Sequence, residues 1–574
     1  MTLSRLRKIY YSLLFIFLTL LVASYSNLAQ GGAILWTGQN LFYITMFLVV
    51  ASLFYVIASS RSNSFSWVEA CAIGAFCLSL FLVVWVGSGS LPYDLDSIVY
   101  MHSISFMLQN GWAPNLVAKG GISLIEVPYS LPMQSMLGAA LVLVTNSSYI
   151  TVAKYLPLLL AVVFLVIYYS LVSERFGKTV ALLSLAVVAP LLIALANTLN
   201  NNDLGTIFLL LTLSLILMWD SKNQLVLTIL AFFVIGCFVL THHLTFVLLI
   251  AALAVLALKD QILRIRYPKL RLRTENVTIL LLVAIVAVFA FYAFVYFAPL
   301  QTIVNSLTNQ IAIEVTSATP VSTWSVPILV VRALYVLFIG FSITLAVFRA
   351  KADSIRFSSR YADFFLLGGA FFALGVISTL IKAPFNWDRI SVYGWFFFIP
   401  VTLAMSCERG GPQILARRGI LLSFSAVLVA ALVFGNLYTA PTNLFDHTGV
   451  NEYQGTFKDW TKPQEFNSAL WTIHYKNSGS SVVGDDLVRR LYLGNSPDFI
   501  GHFKSILANN ATSSDSIILV RNENLYRIVG NFYLAKGTQP SAFNANVITS
   551  MLSNQSLTRV YDDGEVRILY SPAP

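Results

Sequence analysis

Charge is what this chain has least of. Asp, Glu, Lys and Arg together make up 11% of its 574 residues, well under half of the roughly 25% usual in soluble domains. A water-facing surface cannot be covered at that density, so a purely soluble globular protein of this length is excluded. Cysteine is almost as scarce. Cys71, Cys77, Cys237 and Cys407 are the four, each in or at the end of an apolar run and none in a C-x-x-C pair. They form neither a disulfide framework nor a thiolate metal site. Inverted internal repeats, which would announce a secondary transporter, are not visible. The formal charge is +10, but within the apolar part of the chain the bases fall in connecting loops, where they set topology. No nucleic-acid partner is expected.

What is there is apolar: 57% hydrophobic residues and a mean hydropathy of +0.75, the composition of an integral membrane protein. A span needs about 20 apolar residues to cross a hydrocarbon core of about 30 Å. Such runs recur at roughly 10–28, 41–59, 66–87, 152–172, 179–196, 204–219, 224–240, 244–258, 277–298, 326–348, 363–381, 389–406 and 419–438, about thirteen in all. The start, "MTLSRLRKIYYSLLFIFLTLLVAS", reads as an uncleaved signal anchor.

Loop charge predicts orientation. "SSRSNS", "SERFGK", "DSKN", "KDQILRIRYPKLRLRTEN", "RAKADSIRFSSRYAD" and "ERGGPQILARRG" hold most of the bases of the membrane part, and the alternate loops hold few. The N-terminus is therefore expected in the cytoplasm, and an odd number of spans puts everything after Tyr438 outside. The expected fold is an all-α polytopic membrane domain over 1–438, with a large extracytoplasmic loop at about 88–151, followed by a soluble extracytoplasmic α/β or α+β domain over 439–574. In that last domain "SSVVGDD" and "DSIILVRNENLY" predict short buried strands and "PQEFNSALWTIHYKN" a helix. "TRVYDDGEVRILY" alternates around Asp-Gly as a hairpin does.

The polar residues worth chemistry gather on the outer side. "SLPYDLDSIVYMHSISFMLQNGW", Ser90 to Trp112, follows the third run and sets Asp94 and Asp96 one residue apart at the membrane rim. Either Asp94 caps a helix starting near Ser97 and Asp96 is solvated, or apolar walls keep the pair poorly solvated. The second case raises their basicity and fits them for general-base or metal-binding work. The helix that follows is expected to lie along the surface with Tyr100 and His102 toward water. "VPYSLPMQSMLGAALVLV" predicts a second interfacial or re-entrant helix.

Asp203 in "NTLNNNDLG" stands at another outer helix end, as a cap or as a site acid. His242 and His243 share a very short outer turn, and Glu314 is the single charged residue of "NSLTNQIAIEVTSATP". "IKAPFNWDRISVYGWFFFIP" brings Lys382, Asp388 and Arg389 to the mouth of a late span, where Arg389 is either a snorkelling anchor or an anion ligand. Arg332 sits one or two turns inside the tenth run and needs an anionic partner there. Acids, bases and imidazoles on one membrane face suit an enzyme that handles a lipid-linked anion. The lipid tail stays in the bilayer, a phosphate meets Arg, Lys and His, and a carboxylate activates an acceptor from water.

These motifs resemble the C-type glycosyltransferases, multi-span enzymes that use polyprenyl-linked sugars and include protein mannosyltransferases, aminoarabinose transferases and oligosaccharyltransferases. The resemblance runs from about Tyr93 to Pro400. It lies in the acidic Asp94-Leu-Asp96 motif of the first large outer loop, the two loop helices, the basic turn "SERFGK", the outer Asp203, and the late helix from Arg389 to Pro400. The Trp-Trp-Asp-Tyr-Gly acceptor motif of oligosaccharyltransferases is absent, which points to the wider superfamily.

The resemblance implies transfer of a sugar from a polyprenyl-phosphate or pyrophosphate donor to an extracytoplasmic glycan, lipid or protein acceptor. Asp94 is then the general base or the acid that orients the acceptor, with Asp96 supporting it or a metal. Arg389 binds the donor phosphate with Lys382, His242, His243 and Arg332 as further candidates, and Asp203, Glu314, Tyr100 and His102 are supporting or acceptor residues. A monophosphate donor requires no metal. With a pyrophosphate donor Asp96, Asp203 and Glu314 would surround a divalent cation, Mg or Mn. En-bloc transfer of the oligosaccharyltransferase kind, a lipid-linked saccharide transporter or flippase, and a non-catalytic envelope scaffold are the alternatives.

Overall fold

In a computed structural model of the chain, the described residues are 8–16, 19, 48–49, 95–111, 131–196, 201–218, 224–266, 274–294, 326–352, 357, 361–380, 387–407, 450–451, 456–457, 463–475, 481–483, 516–521, 552–553, 557–562 and 566–571. The chain divides into two compact units. One comprises Met1–Val84, Leu158–Asn197 and Asn201–Phe445, and the other Trp85–Pro157, Thr198–Asn200 and Asp446–Pro574. The outer-loop residues, expected with the membrane domain, are thus grouped with the C-terminal residues.

The first unit is a helical bundle. Its helices are α3 (Tyr149–Phe176, which begins in the other unit), α4 (Lys178–Ala196), α5 (Asn201–Leu217), α6 (Gln224–Val239), α7 (His243–Arg266), α8 (Thr274–Phe294), α9 (Val326–Ala352), α10 (Ala362–Leu380) and α11 (Trp387–Cys407). They fall on the expected runs from 152–172 to 389–406. The runs at 41–59, 66–87 and 419–438 lie almost wholly outside the described residues, and of 10–28 only the first turns are described. Among the described residues two helices are both long and apolar enough to cross a membrane, Tyr149–Phe176 and Leu244–Ile265. The bundle is apolar on its outside: Val166, Phe233, Ile265, Val286 and Phe289 are exposed, while Thr206, Thr212, Ser342 and Thr402 are buried. Such an exterior is stable against hydrocarbon and unstable against water.

Helix α11 is the core of this unit. Nearly every described side chain from Val392 to Ser406 is buried, as expected of a helix that is hydrophobic all round. It meets α10 at small residues: a Cβ on Gly394 would come within 3.0 Å of the Gly368 carbonyl. Its rings interlock with neighbours at Phe364–Phe397 (5.5 Å), Phe365–Phe398 (5.6 Å) and Phe164–Phe396 (5.1 Å). Pro400 lies inside α11 and has no N–H to offer the carbonyl four residues back, which is that of Phe396. Tyr168 Oη of α3 donates to that oxygen at 3.0 Å, so the freed backbone acceptor is satisfied from another helix.

At one end of the bundle α3 turns into α4 through Gly177 alone, at φ +92, a left-handed value that glycine adopts without cost. At this same end Arg175 Nη2 donates to Asp363 Oδ2 at 3.2 Å, Lys259 Nζ pairs with the other Asp363 oxygen, and Lys259 Nζ lies 3.0 Å from Asp260 Oδ1. Arg349 Nη2 donates to the Met405 carbonyl at 2.9 Å. The charges of "SERFGK" and "KDQILRIR" were expected only to set topology. Here Asp260 and Asp363 are buried and Lys259 nearly so, and with Arg175 they tie α3, α7 and α10 together.

In the second unit α1 (Leu95–Asn110) and α2 (Met133–Thr145) pack on each other, with Ser135 Oγ donating to Ser103 Oγ at 2.9 Å. Helix α1 does not carry Tyr100 toward water, contrary to expectation. Tyr100 is buried along with Ser97, Val99, Met101, Ser103, Ile104 and Met107, and α2 packs on this helix at Ser103 and Ile104. His102 is half-buried. Helix α2 has 13 residues, too few to span, and exposes Leu143 and Val144, as an interfacial helix does.

The C-terminal residues form a mixed sheet in the order β3-β4-β6-β5, from β3 (Ser481–Val483), β4 (Ser516–Arg521), β5 (Thr558–Asp562) and β6 (Val566–Ser571). A separate short ladder pairs β1 (Val450–Asn451) with β2 (Thr456–Phe457). Strands β3 and β4 are parallel, and β5 and β6 form the expected antiparallel hairpin, with Asp562 opposite Arg567. Helix α12 (Pro463–Tyr475) contributes Trp471 to a core of Val482, Ile517, Leu519, Val566 and Ile568. Its ring lies 5.2 Å from that of Tyr561.

Candidate functional site

At the end of the bundle opposite the ion cluster, three helix termini converge. Helix α5 starts in "NNDLG", with Asp203 in its first turn and buried. The positive end of a helix favours a carboxylate there. Two residues on, Gly205 lets α5 press against the turn that joins α6 to α7: an added Cβ would lie 3.0 Å from His242 Cβ and collide with Thr245 Oγ1.

That turn is closed by its own polar groups. The Thr241 N–H donates to the Phe238 carbonyl at 2.9 Å, and the Thr241 hydroxyl to the Cys237 carbonyl at 3.0 Å. The Thr245 N–H donates to His242 Nδ1 at 3.3 Å, so His242 caps the first turn of α7. Accepting there requires an unprotonated Nδ1, which assigns the proton of the neutral ring to Nε2.

One residue past Gly205, the Thr206 hydroxyl lies 3.0 Å from Tyr393 Oη of α11, and both side chains are buried. This hydrogen bond joins α5 to α11 between one and two turns in from the start of each. The first turn of α11 carries Asp388 and Arg389. Thus Asp203, the His242 turn and the head of the arginine-bearing helix share one end of the first unit.

Of the residues expected to act, Asp203 and His242 therefore lie at the same end of the bundle, with Gly205, two residues past Asp203, packed on the His242 turn. His243 is the first residue of α7, Arg389 lies in the first turn of α11, and Arg332 lies in α9, six residues after Val326; their side chains lie outside the described residues. Asp96 lies at the start of α1, with its side chain likewise outside. Asp94, Glu314 and Lys382 fall outside the described residues altogether. Among the described residues no three His, Cys, Asp or Glu side chains are grouped so as to hold a metal ion.

The residues that sequence inspection passed over are Gly205, Thr206, Thr245 and Tyr393. Each is uncharged and set in an apolar run. The available signal was their spacing: Thr206 is three residues from Asp203 and Tyr393 four from Arg389, so each pair shares a helix face.

No protein-family model matches the chain, and no curated protein matches it. Among solved structures the chain is similar to the oligosaccharyltransferase AglB of Archaeoglobus fulgidus in complex with an inhibitory peptide and a dolichol-phosphate. That likeness has 10% identity and a TM-score of 0.46 over 85% of this chain and 70% of that one. An Archaeoglobus fulgidus oligosaccharyltransferase tethered to an acceptor peptide containing the NVT sequon gives 12% identity and a TM-score of 0.44, covering 84% and 69%. ArnT from Cupriavidus metallidurans in the apo state gives 12% identity and a TM-score of 0.37, covering 87% and 98%. Each of these TM-scores is below 0.5, and what the chain can do is read from its own residues.

Proposed function

We propose that this chain is an integral membrane glycosyltransferase that moves a sugar from a polyprenyl-phosphate or pyrophosphate donor to a glycan, lipid or protein acceptor outside the cytoplasm. The observation that carries the proposal is the convergence of Asp203, the His242 turn and the head of the Arg389 helix at one end of a bundle whose exterior is apolar. The membrane part would run over 1–438 with about thirteen spans and a cytoplasmic N-terminus. The domain over 439–574 would stand outside and cover the site or help select the acceptor.

In this reading the polyprenyl tail lies in the bilayer against the exposed apolar helices. Arg389 holds the donor phosphate, helped by Lys382, His243, Arg332 and His242 through Nε2. Asp94 takes the proton of the acceptor nucleophile, supported by Asp96, as that nucleophile forms its bond to the anomeric carbon. The bond from that carbon to the phosphate oxygen breaks, and polyprenyl phosphate leaves with the electron pair. The negative charge gathering on the leaving oxygen is what Arg389 stabilises, the electrostatic contribution that usually dominates such transfers. Asp203 and Glu314 would complete the polar lining of the site. No step is routed through a metal.

The test is sugar transfer in membranes carrying Asp94→Asn or Arg389→Ala. Losing a general base costs about 10²–10⁴-fold in rate, and losing a charge-stabilising donor about 10²–10³-fold. Both variants should therefore be present in the membrane and inactive. Full activity in both ends this proposal.

A further inference from the structure

We propose that the end of the bundle carrying the buried ion cluster is a docking surface for anionic phospholipids, whose headgroups meet the exposed Lys178, Arg264 and Lys351 at the rim of the bilayer. This surface lies at the opposite end of the first unit from the candidate transfer site and does not depend on the chemistry of that site.

Acids and bases are handled differently here. Asp260 and Asp363 are buried and engaged inside the protein by Lys259 and Arg175, two cations against two carboxylates. Other bases stay outside that balance. Lys178 follows the Gly177 turn, Arg264 stands five residues beyond Lys259 toward the end of α7, and Lys351 stands two beyond Arg349 in the last turn of α9; all three are exposed. Among the described side chains of this end, Glu174 is the one exposed acid. The outer surface is therefore positive, and it attracts anions over a Debye length of roughly 8–10 Å at physiological salt.

The neighbours of these cations select the anion. On α9, Ile343 and Val347 are exposed, and Lys351 continues their row at the same spacing of four residues, so an apolar stripe ends in an ammonium. On α7, Leu258, Ile262 and Ile265 make a second exposed stripe, with Ile265 83% exposed directly beside Arg264. Such stripes are costly against water and stable against acyl chains. Lys and Arg at the end of one lay their methylene stems along hydrocarbon and put their charge at headgroup depth. A soluble anion would answer the charge and leave the stripes wet, whereas a phospholipid answers both. Setting topology requires only that bases lie on one side; it does not require the acids beside them to be buried and paired.

The experiment uses the full-length protein in a neutral detergent and measures binding of a fluorescent phosphatidylglycerol, with the matching phosphatidylcholine as reference. Wild type is compared with Lys178→Gln, Arg264→Gln, Lys351→Gln and the triple variant. Each base close to an anionic lipid surface contributes about fivefold in affinity. Each single change should thus weaken phosphatidylglycerol about fivefold and the triple change about a hundredfold, with phosphatidylcholine unaffected. Binding to wild type should also fall as salt rises from about 0.1 M to 1 M. Tm should hold in all four variants, because the three side chains are exposed and outside the buried cluster.

Equal binding of the two lipids by wild type, or a triple variant that keeps its affinity for phosphatidylglycerol, overturns this inference. Full competition by millimolar inorganic phosphate also overturns it, since that marks an anion site with no need of a lipid. In phosphatidylcholine membranes the triple variant should transfer sugar as wild type does; loss of transfer there assigns these cations to the donor and overturns the docking surface while the proposed function stands. A protein that binds phosphatidylglycerol as described but transfers no sugar keeps the surface and loses the proposed function.

Discussion

Two buried carboxylates at opposite ends of the first unit have different work. Asp203 lies at a helix start beside a turn that polar groups close and is read as part of a site. Asp363 is answered by Arg175 and Lys259 and is read as structure. Because Asp363 is almost fully removed from water, deleting its charge takes one acceptor from both cations and leaves Lys259 with Asp260 alone. Asp363→Asn should therefore destabilise the folded protein by about 1–3 kcal/mol, measured as loss of Tm in detergent. Replacing the whole buried cluster, Asp363→Leu with Lys259→Met and Asp260→Leu, should recover most of that loss, since apolar side chains of similar volume carry no desolvation penalty and Arg175, a quarter exposed, can turn to water. If both variants are equally unstable, the cluster is not held together by charge.

At the scale of elements, the sequence was legible where apolar runs are bounded by charge. Helices α3 to α11 start and stop within a few residues of the runs that a hydropathy reading marks. The larger misses are at ends. The run at 244–258 stops at Lys259 and Asp260 because a hydropathy window ends at the first charges, whereas α7 continues to Arg266. What makes those charges tolerable is Asp363, more than a hundred residues away in sequence, and no local pattern announces such a partner. Tyr100 departs from expectation for a related reason: a helix beside a membrane rim is expected to turn its polar tips to water, but Tyr100 is buried, by tertiary packing that no local pattern announces.

The candidate site was legible in its charged members and not in the neutral residues packed near them. Asp203 and His242 stand out as polar residues at helix ends, but a threonine and a tyrosine in apolar helices look like ordinary filling until Thr206 is found against Tyr393. Proline has the same hidden consequence at the other bridge. The Phe396 carbonyl lacks a helical donor because of Pro400, and Tyr168 provides one. Tyr168→Phe should then leave that oxygen unsatisfied and cost about 1–3 kcal/mol, seen as a lower Tm. An unchanged Tm would mean that the helix supplies its own donor to Phe396.

At the scale of the whole molecule, the helices of the first unit are apolar outside, with one end locked by paired charge and the other bringing Asp203, the His242 turn and the start of the Arg389 helix together. A lipid-linked donor suits that division, since its tail needs the apolar exterior and its phosphate the polar end. A transporter of the same lipid would share the division but would release its cargo intact, with the bond from sugar to phosphate unbroken. The decisive measurement is therefore stoichiometric. Purified protein in vesicles is given a polyprenyl-phosphate sugar labelled in both sugar and phosphate, with an acceptor outside. Glycosyl transfer predicts one polyprenyl phosphate released for each labelled sugar joined to the acceptor, with both products lost in Arg389→Ala. Recovery of the doubly labelled lipid across the bilayer, with no sugar on the acceptor, would contradict it.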